Sequence, residues 1–255
     1  MNTSYEDRLS RLKKFHHGSE AIQAKVPGFF QTKGDGWELA SLRSPFAMFN
    51  GVLIYSSRKD CVTEVMDAIK QIDVPAHIRL VGPGLSLTGV LAEHGYKNFG
   101  GTPFMMWTAD NSVDSFELRE GLTARLLIES DLARMCAIYK DVYAMTDEMI
   151  ADMKKMFFLS PKDHTYGLFK DNKMVSLVTA IVYEDTVGIW SMGTPTEHQK
   201  NGYGQQLLQH VMKTHKDLGT KEFYLHASTA GKFLYDKCGW ITLDYLPYLA
   251  KPSGS

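Results

Sequence analysis

A short glycine turn in the C-terminal half of the chain has the residue types and spacing to hold a phosphate group. The turn comprises Gln199, Lys200, Asn201, Gly202, Tyr203 and Gly204, and it separates a short β-prone run from an amphipathic helix pattern. The first N–H groups of a helix lack partners within the helix, and its dipole favours an anion there. Gly202 and Gly204 let the backbone approach a ligand with no Cβ in the way. The alternative is a plain chain reversal, because the third glycine of a dinucleotide-binding fingerprint and the Gly-Lys-Ser/Thr of a P-loop are both missing.

A second pattern follows the turn and adds specificity to it. Residues 222–227 predict a strand, and residues 228–240 predict a helix that begins at Ser228 or Thr229 and ends at a glycine. With both segments in this order, the chain resembles the GCN5-related N-acetyltransferases, the GNAT superfamily. The pyrophosphate loop of that family, Gln/Arg-x-x-Gly-x-Gly/Ala, is matched by Gln199, Gly202 and Gly204. Its segment Asn-x-x-Ala-x-x-Leu-Tyr-x-x-x-Gly-Phe is represented here by Ser228, Gly231, Leu234, Tyr235, Gly239 and Trp240.

The resemblance implies an α/β fold with a mixed sheet of the α+β type, in a tandem arrangement. Residues 113–250 are expected to form the catalytic GNAT domain, residues 1–112 an incomplete GNAT-like domain that lacks the phosphate loop, and residues 251–255 a disordered tail. The first half resembles the N-terminal half of bacterial two-part GNAT proteins, and we expect it to be structural and to help shape the acceptor cleft. An unrelated α/β cap is the alternative for this half.

Hydrophobic periodicity predicts the elements that position these segments. Helices are predicted at 4–25, 63–72, 85–95, 130–143, 147–159 and from the glycine turn onward, and strands at 37–42, 49–55, 78–81, 104–108, 116–119, 166–170, 174–183 and 187–192.

The resemblance also implies the groups that act on the thioester of acetyl-CoA. In the family, the strand before the loop ends in a bulge whose backbone pairs with the pantetheine arm; here that strand end is Met192, Gly193 and Thr194. The Met192 N–H would face the thioester oxygen, while its side chain is expected to pack in the core. Tyr235 would protonate the departing thiolate, because a phenol with a pKa near 10 holds its proton at neutral pH. The alternative for Tyr235 is packing alone.

Proton removal from the acceptor amine has three candidate groups. An ammonium with a pKa of roughly 10 needs a base or a water relay. His226, on the strand beside the cofactor, is the first choice, and Glu184 and Asp185 come next. His198 lies in the loop and is expected at the surface near phosphate. His16 and His17, adjacent on one helix, cannot converge on a metal and are expected to be solvated.

Net charge and cysteine spacing indicate which kinds of binding partner and compartment are expected for this chain. The chain has 255 residues, of which 44% are hydrophobic and 22% charged, with a net charge of -1, so composition gives no sign of nucleic acid or an anionic membrane as a partner. The three cysteines are widely spaced and fit a reducing cytoplasm rather than a disulfide framework or a zinc site. No leader sequence or membrane span is predicted.

These observations predict an acetyl-CoA-dependent N-acetyltransferase, a monomer or homodimer without a metal, that acts on a small-molecule amine. Two alternatives remain open at this point: a protein or peptide N-acetyltransferase, and a non-catalytic acyl-CoA-binding sensor.

Overall fold

The computed structural model of the chain describes residues 3–252. The helices in this range are α1 (Tyr5–Gln23), α2 (Asp60–Ile72), α3 (Thr88–Glu93), α4 (Leu132–Tyr143), α5 (Asp147–Lys154), α6 (Tyr203–Asp217) and α7 (Thr229–Lys237). The strands are β1 (Phe30–Gly34), β2 (Trp37–Ser41), β3 (Asn50–Ile54), β4 (His77–Leu80), β5 (Lys97–Thr108), β6 (Leu122–Leu126), β7 (Asp163–Lys170), β8 (Lys173–Tyr183), β9 (Thr186–Gly193), β10 (Glu222–His226) and β11 (Ile241–Ala250). The prediction of a mixed α/β fold is confirmed.

The chain folds into two compact units. Unit 1 comprises Met1–Leu9, Gln23–Pro103 and Asp244–Ser255, and unit 2 comprises Ser10–Ile22 and Phe104–Leu243. Most of α1 therefore belongs with unit 2, and residues 244–252 belong with unit 1. The boundary after residue 112, between a GNAT-like domain without the phosphate loop and a catalytic domain, stays a prediction. Residues 253–255 of the predicted tail lie outside the described residues.

Unit 1 is a mixed sheet with helices on one face. Strands β1, β2 and β3 are antiparallel neighbours, β3 and β4 are parallel, and β4 pairs antiparallel with β11. The apolar faces of α2 and α3 pack on the sheet through a core that includes Val65, Leu91, Ile78 and Leu249. This order is compatible with the incomplete GNAT-like unit that the sequence predicts.

Unit 2 contains a longer mixed sheet. From β6 to β9, successive strands are antiparallel, β9 and β10 are parallel, and β10 pairs antiparallel with Phe104–Thr108 of β5. The connection between β9 and β10 is α6, whose apolar side, with Leu207 and Val211, packs on one face of the sheet. Because parallel strands need such a crossover, the start of α6 lies at the carboxyl end of β9.

Three strand predictions need correction. Residues 116–119 are not a strand; the edge strand is β6, after the turn at Gly121. Strands β1 and β11 were missed: β1 lies between turn signals at Pro27 and Gly34, and β11 contains Pro247. No helix among residues 3–252 combines the length and the apolar character of a membrane span.

Candidate active site

The loop before α6 contains two residues with left-handed backbone conformation. Lys200 has φ 61°, and Gly202, the N-cap residue of α6, has φ 75°. A Cβ at Gly202 would meet nothing nearer than Arg119 Nη2 at 3.9 Å, so glycine is needed there for its backbone geometry rather than for space. The Gln206 N–H donates to the Gly202 carbonyl at 3.0 Å and begins the helical ladder. The preceding amides lie at the helix N-terminus, where an anion is favoured.

Two polar side chains fix the shape of this loop. Asn201 Nδ2 donates to the carbonyls of Gln199 at 3.0 Å and His198 at 3.2 Å. Gln199 Nε2 donates to the Thr194 carbonyl at 3.2 Å and ties the loop to the end of β9. The side chains of Gln199 and Asn201 therefore order the loop backbone.

The second glycine of the loop allows a close approach between α6 and β9. A Cβ at Gly204 would lie 3.2 Å from Met192 Cε and 3.3 Å from Thr194 Oγ1. Tyr203, beside it, is buried at 8% exposure. The two glycines thus serve different purposes, one for backbone conformation and one for packing.

A β-bulge lies near the carboxyl end of β9. Leu177 of β8 pairs with Gly193, whereas Thr179 pairs with Trp190, so one residue of β8 faces two residues of β9. One of those two, Ser191, has φ 48°. A bulge bends its strand and locally redirects its backbone groups. The structure places the bulge at residues 191–192, at the strand end where the resemblance implies one.

β9 and β10 separate after Gly188, three residues before the bulge. Their parallel pairing joins Thr186, Val187 and Gly188 to residues 222–224 and ends there, although β9 continues to Gly193 and β10 to His226. Residues 189–193 of β9 are therefore not paired with β10, and an extended ligand could bind in this opening as an additional strand.

The end of β9 is anchored from both sides. Ser176 Oγ donates to the Gly193 carbonyl at 2.9 Å and lies 2.9 Å from Thr194 Oγ1. A Cβ at Gly193 would lie 3.3 Å from Val142 Cγ2, so α4 packs closely against this glycine.

Two phenols meet at Met192. Tyr235 Oη donates to Met192 Sδ at 3.6 Å, and Tyr143 Oη donates to the Met192 carbonyl at 2.5 Å. Burial, with a smaller contribution from Cys238, raises the pKa of Tyr235 above its usual range. Burial, with smaller contributions from Tyr235 and Tyr139, likewise raises the pKa of Tyr143. Both hydroxyls keep their protons at neutral pH. No sequence pattern indicates a role for Tyr143, because its contact with Met192 depends on tertiary packing.

The start of α7 holds Tyr235 in place. Ser228 Oγ accepts a hydrogen bond from the Gly231 N–H at 3.0 Å and caps the helix. A Cβ at Gly231 would lie 3.1 Å from that Oγ and 3.3 Å from Tyr235 Cε2. Glycine at this position therefore lets Ser228 and Tyr235 approach each other.

Arg119 is a second residue that the sequence did not reveal. Its guanidinium donates to the Asn201 carbonyl at 2.7 Å and lies over the Tyr203 ring, 5.5 Å from the centroid. Its backbone N–H donates to Gln206 Oε1 at 2.9 Å. This cation therefore lies against the glycine loop, where it adds to the attraction for an anion.

His226, the first choice for a base, contacts α1. Its Nε2 lies 3.4 Å from Nε2 of His16, and its ring lies 5.2 Å from that of Phe15 and 5.5 Å from that of Phe104. Phe15 also stacks on Trp190 of β9 at 4.1 Å. The expectation that His16 is solvated is wrong, because α1 packs this residue against the carboxyl end of β10.

The two acidic candidates for the base, Glu184 and Asp185, do not lie near Met192. Glu184 and Asp185 form the turn before β9, at the opposite end of that strand from Met192, and both pair with Lys14 of α1. His198, in the loop, is within 3.3 Å of the carboxylate of Glu197. Among the described residues, no group of three or more His, Cys, Asp or Glu side chains is arranged to hold a metal.

Comparison with known proteins finds a family match for the part of the chain that contains Met192, the glycine loop and Tyr235. Residues 132–240 match the family model described as the acetyltransferase (GNAT) family. No curated protein matches the chain.

Solved structures extend the similarity to both units. A GCN5-related N-acetyltransferase from Kribbella flavida has a TM-score of 0.71 at 16% identity, with 94% of this chain and 96% of that chain covered. A GCN5-related N-acetyltransferase from Sphaerobacter thermophilus has a TM-score of 0.64 at 16% identity, covering 85% of this chain and 76% of that one. A functionally unknown conserved protein from Staphylococcus epidermidis has a TM-score of 0.64 at 14% identity, covering 88% and 94%. At these identities the similarity is one of fold.

Proposed function

We propose that this chain, whose residues 132–240 match the acetyltransferase (GNAT) family model, is an N-acetyltransferase that moves an acetyl group from acetyl-CoA to a primary amine of a small molecule. The observation that carries the proposal is the opening between β9 and β10, directly beside the glycine loop at the start of α6. The three cysteines are free thiols, which supports a reducing compartment and, as a proposal, the cytoplasm.

The residues present fit acetyl-CoA. Left-handed Gly202 leaves the loop amides without a Cβ in front of them, and Arg119 adds a positive charge beside them. We therefore assign the pyrophosphate to the amides of residues 199–204. The pantetheine arm is assigned to the open edge of residues 189–193, with Ser228 and Gly231 at the start of α7 beside it. Acetyl-CoA supplies a thioester, which is an acyl group activated for attack by an amine.

The backbone of Met192 is proposed to stabilise negative charge on the thioester oxygen. A donor that is fixed before the reaction is effective because no reorganisation is needed as charge develops. The bulge at residues 191–192 redirects the backbone, and Tyr143 holds the Met192 carbonyl. Thr194 and Gly193, anchored by Ser176, keep the strand end in position.

Proton transfer is assigned to two side chains. Burial raises the pKa of the Tyr235 phenol, so its Oη carries a proton at neutral pH. We assign to Tyr235 the transfer of this proton to the departing thiolate. His226 is proposed to take the proton of the acceptor ammonium, with His16 in contact with its Nε2. Glu184 is not given this role, because it lies at the far end of β9 and pairs with Lys14.

Release of free CoA thiol tests the proposal. The purified chain is incubated with acetyl-CoA and a panel of amines: amino acids, polyamines, aminoglycosides and a lysine-containing peptide. We expect thiol release with at least one small amine and its acetylated product by mass spectrometry. Release with the peptide alone would assign the protein alternative, and binding of acetyl-CoA without any release would assign the sensor.

A further inference from the structure

Unit 1 contains a partly buried arginine, Arg79, that makes no ion pair with any carboxylate of residues 3–252. Five arginines of the chain are partly buried: Arg8, Arg11, Arg58, Arg79 and Arg134. Four of them pair with a carboxylate, on Asp244, Glu222, Asp35 and Glu197 respectively. Among the described residues, Arg79 makes no ion pair. Charged groups withdrawn from water are normally paired, so the exception needs an explanation.

The immediate neighbours of Arg79 are polar or aromatic rather than acidic. Its Nη1 donates to Thr102 Oγ1, and its Cζ lies over the Tyr248 ring, 5.4 Å from the centroid. Tyr248 stacks on His77 at 4.9 Å with an interplanar angle of 19°. One hydrogen bond and one aromatic contact use only part of the guanidinium, which has five N–H donors.

These side chains share the sheet face opposite the unit 1 core. Ile78 and Leu80 of β4 and Leu249 of β11 pack in the core with α2 and α3. Side chains alternate along a strand, and Tyr248 pairs directly with Arg79 across the two strands. Arg79, Tyr248 and His77 therefore lie on the sheet face opposite α2 and α3.

Arg79 supplies the only formal charge of this cluster at neutral pH. Burial, with a smaller contribution from Arg79, lowers the pKa of His77 to about 4, so its imidazole is neutral. His77 Nδ1 lies 2.8 Å from the Ala47 carbonyl and must donate to it, because a carbonyl only accepts. Burial lowers the pKa of Arg79 to about 10, against a smaller opposing effect of Tyr248, and no carboxylate contributes.

We propose that Arg79, with Thr102 and Tyr248, binds the carboxylate group of a small molecule. A guanidinium presents parallel N–H groups that match a carboxylate, and the Tyr248 ring offers an apolar surface to the rest of the ligand. A single positive charge balances a carboxylate, whereas a phosphate dianion would leave a net negative charge on a partly buried face. The site lies within unit 1 and does not depend on the acetyl-transfer function proposed for unit 2.

Sodium benzoate is a suitable probe, with benzamide as its neutral counterpart of the same shape. Binding is followed by two-dimensional NMR of the full chain labelled with nitrogen-15, through the amides of residues 77–80, 102 and 248. We expect saturable shifts with benzoate at about millimolar affinity, as befits so small a ligand. Benzamide should give none.

Variants separate this site from non-specific binding. Arg79→Met should weaken benzoate binding at least tenfold. Arg43→Met is the matched control, because Arg43 also lies in unit 1 without a carboxylate but is exposed over Phe30; it should bind benzoate as the wild type does. If Arg79→Met does not fold, Arg79→Lys keeps the charge, loses the fork, and should still weaken binding.

Three results would overturn the proposal. They are the absence of saturable benzoate shifts in the wild type, equal binding of benzamide, and unchanged binding in the Arg79 variants. Tighter binding of inorganic phosphate than of benzoate would overturn the carboxylate assignment.

Discussion

Replacement of Tyr235 by phenylalanine separates catalysis from packing. The change removes only the hydroxyl, whose contact is the Met192 sulfur at 3.6 Å. A thioether is a weak acceptor that needs no partner, so the loss of this contact should cost at most about 0.5 kcal/mol of unfolding free energy. For a chain of this size that corresponds to a change in melting temperature of about 1–2 °C.

Turnover should respond much more strongly than stability. General acid catalysis typically contributes about 10²–10⁴-fold, and a thiolate is a fair leaving group for which water can partly substitute. We expect Tyr235→Phe to lower kcat roughly 10–100-fold, which is about 1.4–2.7 kcal/mol of activation free energy. The affinity for acetyl-CoA, measured by calorimetry, should barely change.

Tyr166→Phe is the matched control for this experiment. The Tyr166 hydroxyl lies 3.3 Å from Nε2 of the buried His215, away from the proposed site. Its removal leaves a buried ring nitrogen without this partner, at a cost of about 1–3 kcal/mol, while kcat should stay unchanged. The reasoning fails if Tyr235→Phe keeps wild-type kcat, or if its loss of kcat comes with a fall in melting temperature as large as that of the control.

Three further predictions follow from other contacts. Tyr143→Phe removes the hydrogen bond to the Met192 carbonyl, and kcat should fall with little change in KM; an unchanged kcat would show that the bulge holds its shape without it. Arg119→Gln should weaken acetyl-CoA binding by about three- to tenfold at unchanged melting temperature, since Arg119 is exposed; unchanged calorimetric affinity would remove it from the anion site. Burial raises the pKa of the Asp163 carboxyl to about 6, from an ordinary value of 3.8. The folded state therefore binds this proton more tightly than the unfolded state does. The resulting stability is fully present below pH 3.8 and is lost as the pH rises through 6. Asp163→Asn should therefore raise the melting temperature at pH 8 and have much less effect at pH 4, and an equal effect at both would refute the titration.

The sequence could predict contiguous features of the fold but not its edges. The α6 and β8 assignments succeed because each has a long, one-sided or fully apolar pattern. β6 was placed too early because residues 116–119 alternate apolar and charged side chains as a strand would, whereas the pairing with β7 begins only after Gly121. β11 was missed because Pro247 interrupts an otherwise strand-like run, although β11 pairs with β4 directly after that proline, at Tyr248 and Leu249.

The residues of the candidate site also fall into two groups, those in local sequence patterns and those that depend on long-range contacts. Gly202, Gly204 and Tyr235 belong to local patterns, and the structure brings Gly204 and Tyr235 into contact with Met192. Tyr143 contacts Met192, Arg119 contacts Asn201 and His16 contacts His226, and the paired residues are respectively 49, 82 and 210 positions apart. No periodicity or spacing records such contacts, because they arise only when helices and strands pack.

The measurement that tests the central claim most directly is calorimetric titration of acetyl-CoA into the Gly202→Asp and Gly202→Asn variants. Both side chains tolerate the left-handed conformation of Gly202 and have nearly the same size, so the variants differ mainly in one negative charge at the proposed pyrophosphate site. The wild type should bind one acetyl-CoA per chain, Gly202→Asn should bind more weakly, and Gly202→Asp should lose at least about a further tenfold, or 1.4 kcal/mol, at an equal melting temperature. Equal affinity of the two folded variants, or a wild type that does not bind acetyl-CoA, would contradict the account.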